Sequence, residues 1–398
     1  MKRLALTLLI ASLLGVAGVA AAGPAKSKAP AIALDVMTQN QYLGADIAPL
    51  IGAIGTEGFN AAVVKALEQI SDNQTVARVN RLAGQISGRQ PHLVGLQEVW
   101  KFTCIPAVSE LEGYPCNDPA IAGAFNDHLA LTTSALGASY KVAAIVQNFT
   151  IESFEFAPGV VYPGIPFFFN GVPAFLQVMD RDVILARADV AAVPYAYPCP
   201  STPVTGEPAR NNVSVDGCNY VIDLPLGALG SVLRGFVAVD ATVGTALYRF
   251  VNTHLEVEAG GPIPGEIQAA QAYQLLDTVT GVPAPGRKVV IVGDMNSSPN
   301  DPPSSLPTPY MLFTAYQMHD AWLLRPGNVA GLSCCQAEGL LNRVSMLDRR
   351  IDLIFSQQMP KVVKDARLIG EVAADRLAPP GLGRWPSDHA SVAAGLQY

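Results

Sequence analysis

The feature that most constrains this fold is a set of apolar runs of strand length that each break off in polar residues. In "VVIVGDMNSSP", Val289 to Pro299, four apolar residues and a glycine are followed by Asp294 and Asn296. The same pattern appears in "IALDVMTQN" ending at Asn40, "HLVGLQEV" with Gln97 and Glu98 near its end, "LYRFVNTHL" with His254, and "RRIDLIF" with Asp352. Ser387-Asp388-His389 stands directly before a further run, "ASVAAGL". Short apolar runs bounded by polar or turn-forming residues read as buried strands.

Between them, apolar spacing over Phe59 to Ile86 predicts a helical face in one piece or in two broken near Asp72-Asn73. Further helices are expected over Ile121–Leu136, Gly265–Val279 and Tyr310–Leu324, and further strands at "KVAAIVQN", "RDVILAR" and "RGFVAVDAT". The Pro-, Gly- and Phe-rich stretch at about 156–176 has no clean period and reads as a long loop or hairpin insertion. Several strands follow one another with no helix between, which argues for antiparallel pairing rather than a doubly wound parallel sheet. The expectation is one α/β domain over 32–398, with mixed sheets and helices on their outer faces.

The first residues carry a different signal. Lys2 and Arg3, an apolar stretch from Leu4 to about Val19, and Ala20-Ala21-Ala22 predict a signal peptide over 1–22, cleaved after Ala22 and followed by a flexible lead over 23–31. No Leu-x-x-Cys pattern lies near that point, so the expected product is soluble, secreted or periplasmic. An oxidising compartment makes disulfides the default for the six cysteines. Short loops favour Cys104 with Cys116 and Cys199 with Cys218, leaving Cys334 and Cys335 as a vicinal pair or as thiols. The formal charge of -7, more negative once Lys2 and Arg3 are removed, supplies no general basic surface for nucleic acid.

Strand ends that lie side by side gather at one edge of a sheet. There, Glu98, Asp294, Asp352 and Asp388 would crowd together, and crowded carboxylates are costly unless a positive charge sits among them. A hard divalent cation on oxygen ligands is the simplest neutraliser: Mg²⁺, with Mn²⁺ or Ca²⁺ as alternatives. Asp294 and Asn296 are two apart, which in an extended segment aims both to one side, and Gly293 would let backbone and ligand come close. Of the five histidines, His254 and His389 fall in these motifs. His92 is expected at the start of a strand, and His128 and His319 on helices. Glu256 shares a strand face with His254, either orienting it or lying at the surface.

Taken in order, "TQNQYLGAD", "GLQEVW", "VNTHLEV", "VGDMNSSP", "RRIDLIF" and "WPSDHASV" resemble the motifs of the endonuclease/exonuclease/phosphatase superfamily, from about Asp35 to Leu396. The resemblance implies two packed mixed, largely antiparallel sheets flanked by helices, a four-layer α/β sandwich. It also implies a Mg²⁺-dependent phosphoester hydrolase, nuclease-like, using a metal-activated water at the strand-end crevice. Glu98 would be the principal metal carboxylate, with Asn40 and Asp388 completing or adjoining the shell. Asp294 and Asn296 would position the water and the phosphoryl oxygens. His389, oriented by Asp352, would be the general base or a phosphate contact, and His254 would act near the leaving oxygen. Asn40-Gln41 departs from the Asn-Val or Asn-Leu of many relatives.

The substrate is less constrained. Scattered arginines, among them Arg181, Arg187, Arg234, Arg343, Arg349, Arg350 and Arg384, would serve a nucleic acid if they formed a patch. The aromatics of the insertion, Tyr162 and Phe167 to Phe169, either cover the protein's own core or form an apolar tip for peripheral membrane contact, as a phospholipid phosphodiesterase of sphingomyelinase type would need. A third reading is a secreted binding protein that keeps the fold without catalysis.

Overall fold

Alternation of side chains along the strands sorts the apolar residues into layers. In the strand Arg287–Asp294, Val290 and Val292 face one way and Val289 and Ile291 the other, and all four are buried. A computed structural model describes residues 33–157, 159–199, 216–257, 262–302, 306–378 and 383–398; the expected signal peptide and lead over 1–31 lie outside the described residues. Residues 32–398 form one compact unit.

Its frame is two mixed sheets of eight and seven strands among the described residues. The first runs in the order Val362–Ile369, Ser391–Gln397, Leu34–Asn40, Leu93–Gln97, Val172–Arg187, Lys101–Pro106. The second runs Gly217–Asn219, Gly235–Val243, Ala246–His254, Arg287–Asp294, Asp352–Ser356, His319–Asp320. Between them lies a core that includes Val36, Leu93 and Ile184 from one sheet and Phe250, Val290 and Ile354 from the other. Ala83, Ile86 and Leu136 cover the outer face of the first sheet against Met37, Val94 and Leu185. Ala272, Leu275 and Phe313 cover the second against Val289, Ile291 and Phe355. The result is the four-layer arrangement of helix, sheet, sheet, helix.

Pairing is antiparallel except where a helix connects the partners. Leu34–Asn40 runs parallel to Leu93–Gln97 after the helical crossover of residues 59–89, and Ala246–His254 runs parallel to Arg287–Asp294 after the helix Pro262–Gly281. Parallel neighbours need such a crossover. They also bring two carboxyl ends together, with Asn40 opposite Gln97 and His254 opposite Asp294, while the antiparallel neighbour Asp352–Ser356 sets its first residue, Asp352, opposite Asp294. Asn252 ties one sheet to the other, donating to the Leu96 and Val183 carbonyls at 2.9 and 3.1 Å and accepting from Gln97 Nε2 at 2.6 Å. Gly95 permits this, because a Cβ there would meet Asn252 Oδ1 at 2.5 Å and Val292 at 2.6 Å.

The break expected near Asp72-Asn73 is present: the stretch after Phe59 is two helices, Phe59–Asp72 and Thr75–Arg89, with Gln74 between them in a left-handed conformation. Other expected elements are shorter than their apolar spacing suggests. The helix expected over Ile121–Leu136 begins only at His128, because the Asp127 carboxylate caps the Leu129 and Ala130 N–H groups; before it stands one 3₁₀ turn, Ala122–Ala124. The helix at Tyr310 ends at Ala315, so His319 lies in a two-residue strand rather than on a helix. The insertion forms strands, with Asn170 and Gly171, both at positive φ, making the two-residue turn that pairs Phe169 with Val172. Phe167 and Phe169 are buried in a core shared with Val63, Leu67 and Trp100, and Phe168 is exposed. Disulfides join Cys104 to Cys116, Cys199 to Cys218 and Cys334 to Cys335.

Candidate active site

Asn40, at the end of its strand, sits between the two sheets. Its Nδ2 donates to Glu98 Oε1 and to Asp294 Oδ2, each at 3.1 Å, and its Oδ1 accepts the Tyr42 N–H at 2.9 Å. Asn40 therefore bridges the two carboxylates through its nitrogen, and its amide oxygen, the atom a metal would use, keeps a second lone pair beside the Tyr42 hydrogen bond. Glu98 follows its strand in a left-handed turn, φ +54, and its Oε2 accepts the Leu43 N–H at 2.6 Å.

Asp294 is the hub of the second sheet's contribution. Its Oδ2 lies 3.5 Å from His254 Nε2 and 3.7 Å from His389 Nε2, and its Oδ1 accepts the Asn296 N–H at 2.9 Å. The strand ends at Asp294 and Asn296 is left-handed, φ +48. The two side chains thus converge through a tight turn, not through the alternation expected of an extended segment. Gly293 also answers to a different demand: a Cβ there would fall 2.0 Å from the Thr253 carbonyl oxygen of the adjoining strand, so the neighbouring backbone requires the glycine.

Both histidines are buried and face opposite electrostatic surroundings. His389 Nδ1 lies 2.8 Å from Asp352 Oδ2. Burial alone would depress its pKa, but the Asp352, Asp388 and Asp294 carboxylates outweigh burial and hold it well above the ordinary value. His254 is pushed well below that value by burial, by Arg234 and by His389. Arg234 Nη1 stands 3.0 Å from His254 Nδ1, and a guanidinium can only donate, so the neutral ring carries its proton on Nε2. That nitrogen lies 3.1 Å from Asn296 Nδ2, which is itself a donor and gives to the Leu255 carbonyl at 2.9 Å, so the Nε2 proton has Asp294 Oδ2, 3.5 Å away, as its acceptor. Asp294 is raised to about 7 by burial and by Asp352, with His389 opposing.

Asp388 is raised to about 6, first by burial and then by the Glu98 charge, with His389 and Arg78 opposing. Ser387 joins this segment to the first, donating to the Asn40 carbonyl at 2.9 Å. Beneath it, the fully buried Arg78 donates to the carbonyls of Gln41, Tyr42, Asn73 and Pro386, fixing the Asn40 and Asp388 segments to one helix. The donor set fits a hard cation. Glu98 is bonded directly only to neutral donors, with the buried Arg78 and Arg234 acting on it at longer range, and the nearby Asp388 adds a second carboxylate oxygen. Ligand atoms of Asp294, Asp352 and His389 also fall within 4.8 Å of one another, but Asp352 and His389 are already engaged with each other.

All eight residues singled out in the sequence therefore reach this crevice. Arg234, Asp180 and Asn148 also belong to its surroundings and were not singled out as a group. Arg234 lies 3.5 Å from Asp180 and 3.6 Å from Glu256, so Glu256, which is buried, acts on His254 through the arginine. The signal for Arg234 was present: a two-residue turn pairs Val243 with Ala246, which fixes Gly235 opposite His254 and places Arg234 beside it.

Two packed mixed sheets whose facing strand ends bring acids, amides and two histidines into one crevice define an α/β sandwich of the phosphoester-hydrolase type. The model of the endonuclease/exonuclease/phosphatase family matches residues 59–389, and the chain belongs to that family. Its fold is similar to an endonuclease/exonuclease/phosphatase from Beutenbergia cavernae, at 18% identity, covering 92% of this chain and 72% of that one with a TM-score of 0.50. A mannosyl-6-phosphatase of Bacteroides thetaiotaomicron aligns at 14% identity over 92% of this chain and 100% of that one, TM-score 0.47. Truncated TDP2 of Caenorhabditis elegans aligns at 15% identity over 92% and 97%, TM-score 0.46. No curated protein matches the sequence.

Proposed function

We propose that this chain is an exported, Mg²⁺-dependent phosphodiesterase whose chemistry takes place between Glu98, Asp294, His254 and His389. The observation that supports this most directly is the Asp294 carboxylate, which stands within 3.7 Å of both histidines and is joined through Asn40 to Glu98. Glu98 and Asp388 would hold the cation, with Asn40 orienting Glu98. When bound, the cation would offset charge on a nonbridging phosphoryl oxygen. His389, kept protonated by its three carboxylates, donates from Nε2 to a phosphoryl oxygen. Asp294 accepts the proton of the attacking water, and Asn296 orients that water. His254, neutral with its proton on Nε2, would steady the leaving oxygen by a hydrogen bond without surrendering that proton, and the departing oxygen takes its proton from solvent.

Substrate breadth follows from charge. Arg181, Arg187, Arg349, Arg350 and Arg384 each pair with a carboxylate, respectively Asp127, Asp189, Asp301, Asp320 and Asp72. A paired arginine offers little to a polyanion, so a short phosphodiester fits this surface better than duplex DNA.

The test is hydrolysis of bis(p-nitrophenyl) phosphate with Mg²⁺ and with excess chelator, extended to plasmid DNA, RNA and sphingomyelin. Glu98→Gln should abolish turnover at low Mg²⁺, regain part of it at high Mg²⁺, and weaken Mg²⁺ binding in calorimetry. No turnover of any ester under these conditions would leave the non-catalytic binding protein as the surviving reading.

A further inference from the structure

Beside the crevice lies an apolar cavity of about 110 Å³ that the chemistry above does not use. Leu50, Val63, Leu67, Trp100, Ile165 and Val178 form much of its wall. Among the described residues, the only charged side chains lining it are Asp180 and Arg234. These are the groups nearest the reacting centre: Arg234 lies 3.5 Å from Asp180 and 3.0 Å from His254. Leu43 also lines the cavity, and its N–H is the one that holds Glu98 Oε2 at 2.6 Å. The cavity and the crevice thus share a wall at two points.

Apolar space of this kind lowers stability in proportion to its volume. Water does not readily fill it, since a buried water needs two to four polar partners. The volume is close to the ~150 Å³ of apolar cavities that stay dry and take up benzene. It suits a ring or a short alkyl segment rather than a whole acyl chain.

We propose that this cavity binds the apolar arm of the phosphodiester substrate, an aryl or short-alkyl ester group. The inference rests on the phosphodiesterase reading of the adjacent site. An ester seated against His254 lies one side chain, Arg234, away from the cavity, so the occupant is argued from continuity with the site. Arg234 and Asp180 then form the polar collar through which the arm passes.

The experiment is a series of p-nitrophenyl alkyl phosphates, from methyl to octyl and with a phenyl member, assayed with Mg²⁺. The expected result is a kcat/KM that rises about fourfold per buried methylene, levels off once the cavity is full, and is high for phenyl. Ala66→Phe, which fills the cavity from its helix, should abolish that dependence and leave the methyl ester unchanged. A binding measurement stands apart from turnover: 4-bromobutylphosphonate, whose short arm the cavity can hold, should quench wild-type fluorescence, and Trp100→Phe should remove most of the quenching. Turnover that is independent of arm length, or quenching that persists in Trp100→Phe, overturns the cavity assignment. Quenching through Trp100 with no turnover of any ester supports the apolar site and sinks the phosphodiesterase reading instead.

Discussion

His389 enters the crevice with one nitrogen already committed, Nδ1 facing Asp352 at 2.8 Å, which leaves Nε2 for the substrate. If Nε2 stabilises charge on the phosphoryl group, His389→Ala lowers kcat by a factor of ~10² to 10⁴. Asp352→Asn is also deleterious, and the double variant is far less impaired than the product of the two losses, because the pair acts as one unit. Multiplicative losses in steady-state assays would separate the two residues. A second histidine acts on stability rather than chemistry. His128 is depressed to about 3, first by burial and then by Arg78 and Arg181, with the Glu98 backbone and Asp127 opposing. Its unfolded value is ~6.5, so the neutral ring's contribution is fully present above that pH and is lost as pH falls toward 3. The loss over this window is on the order of 4 kcal/mol. Urea unfolding of wild type and His128→Gln across pH 3 to 7 should show a flatter pH dependence in the variant; equal slopes would exclude His128 as the source.

At the scale of elements, the helix Thr75–Arg89 serves the site through Arg78, which is fully buried and bonded to four carbonyls from three other segments. Arg78→Leu keeps volume but orphans these acceptors, each worth ~1 to 3 kcal/mol when left unsatisfied. Denaturant titration should show a loss of at least ~3 kcal/mol, and the folded fraction should turn over more slowly because the Asn40 and Asp388 segments are no longer pinned. A loss under 1 kcal/mol would mean that the loops hold themselves. The strands that carry the site were legible because their apolar runs stop at polar residues whose chemistry has no place in a core. Arg78 was not, since an arginine on an amphipathic helix reads as a solvated face until its partners, including the Pro386 carbonyl far along the chain, are known. Two other helix ends were obscured for a similar reason: the Asp127 cap and the left-handed Gln317 overrode the apolar period, whereas the break before Thr75 was legible.

Considered as a whole, the molecule assembles its crevice from both sheets, so activity depends on how closely they pack. Order along the chain indicated mixed sheets but not their spacing, which depends on a contact between residues remote in sequence. Asn252 crosses from the second sheet to reach Leu96, Val183 and Gln97, and Gly95 is the point that admits it. Gly95→Ala therefore forces the sheets apart or displaces Asn252 and Val292, and overpacking of this kind costs about 1 to 3 kcal/mol. Asn252→Ala removes the tie and leaves Gln97 Nε2 without its acceptor, although Gln97 Oε1 still accepts from Thr38, at a similar cost of about 1 to 3 kcal/mol. Combined, the two changes partly compensate, since the truncated Asn252 vacates space the new methyl needs. The methyl still faces Val292 at 2.6 Å, so relief is incomplete. Unfolding free energies of the two single variants and the double should give a coupling of ~0.5 to 3 kcal/mol in the stabilising direction. Mg²⁺-dependent turnover should fall in Gly95→Ala, because displacing one sheet moves Asn40 and Glu98 away from Asp294. Additive stabilities with unchanged turnover would show that the sheets accommodate the methyl without shifting, and that the crevice is held by its own side chains alone.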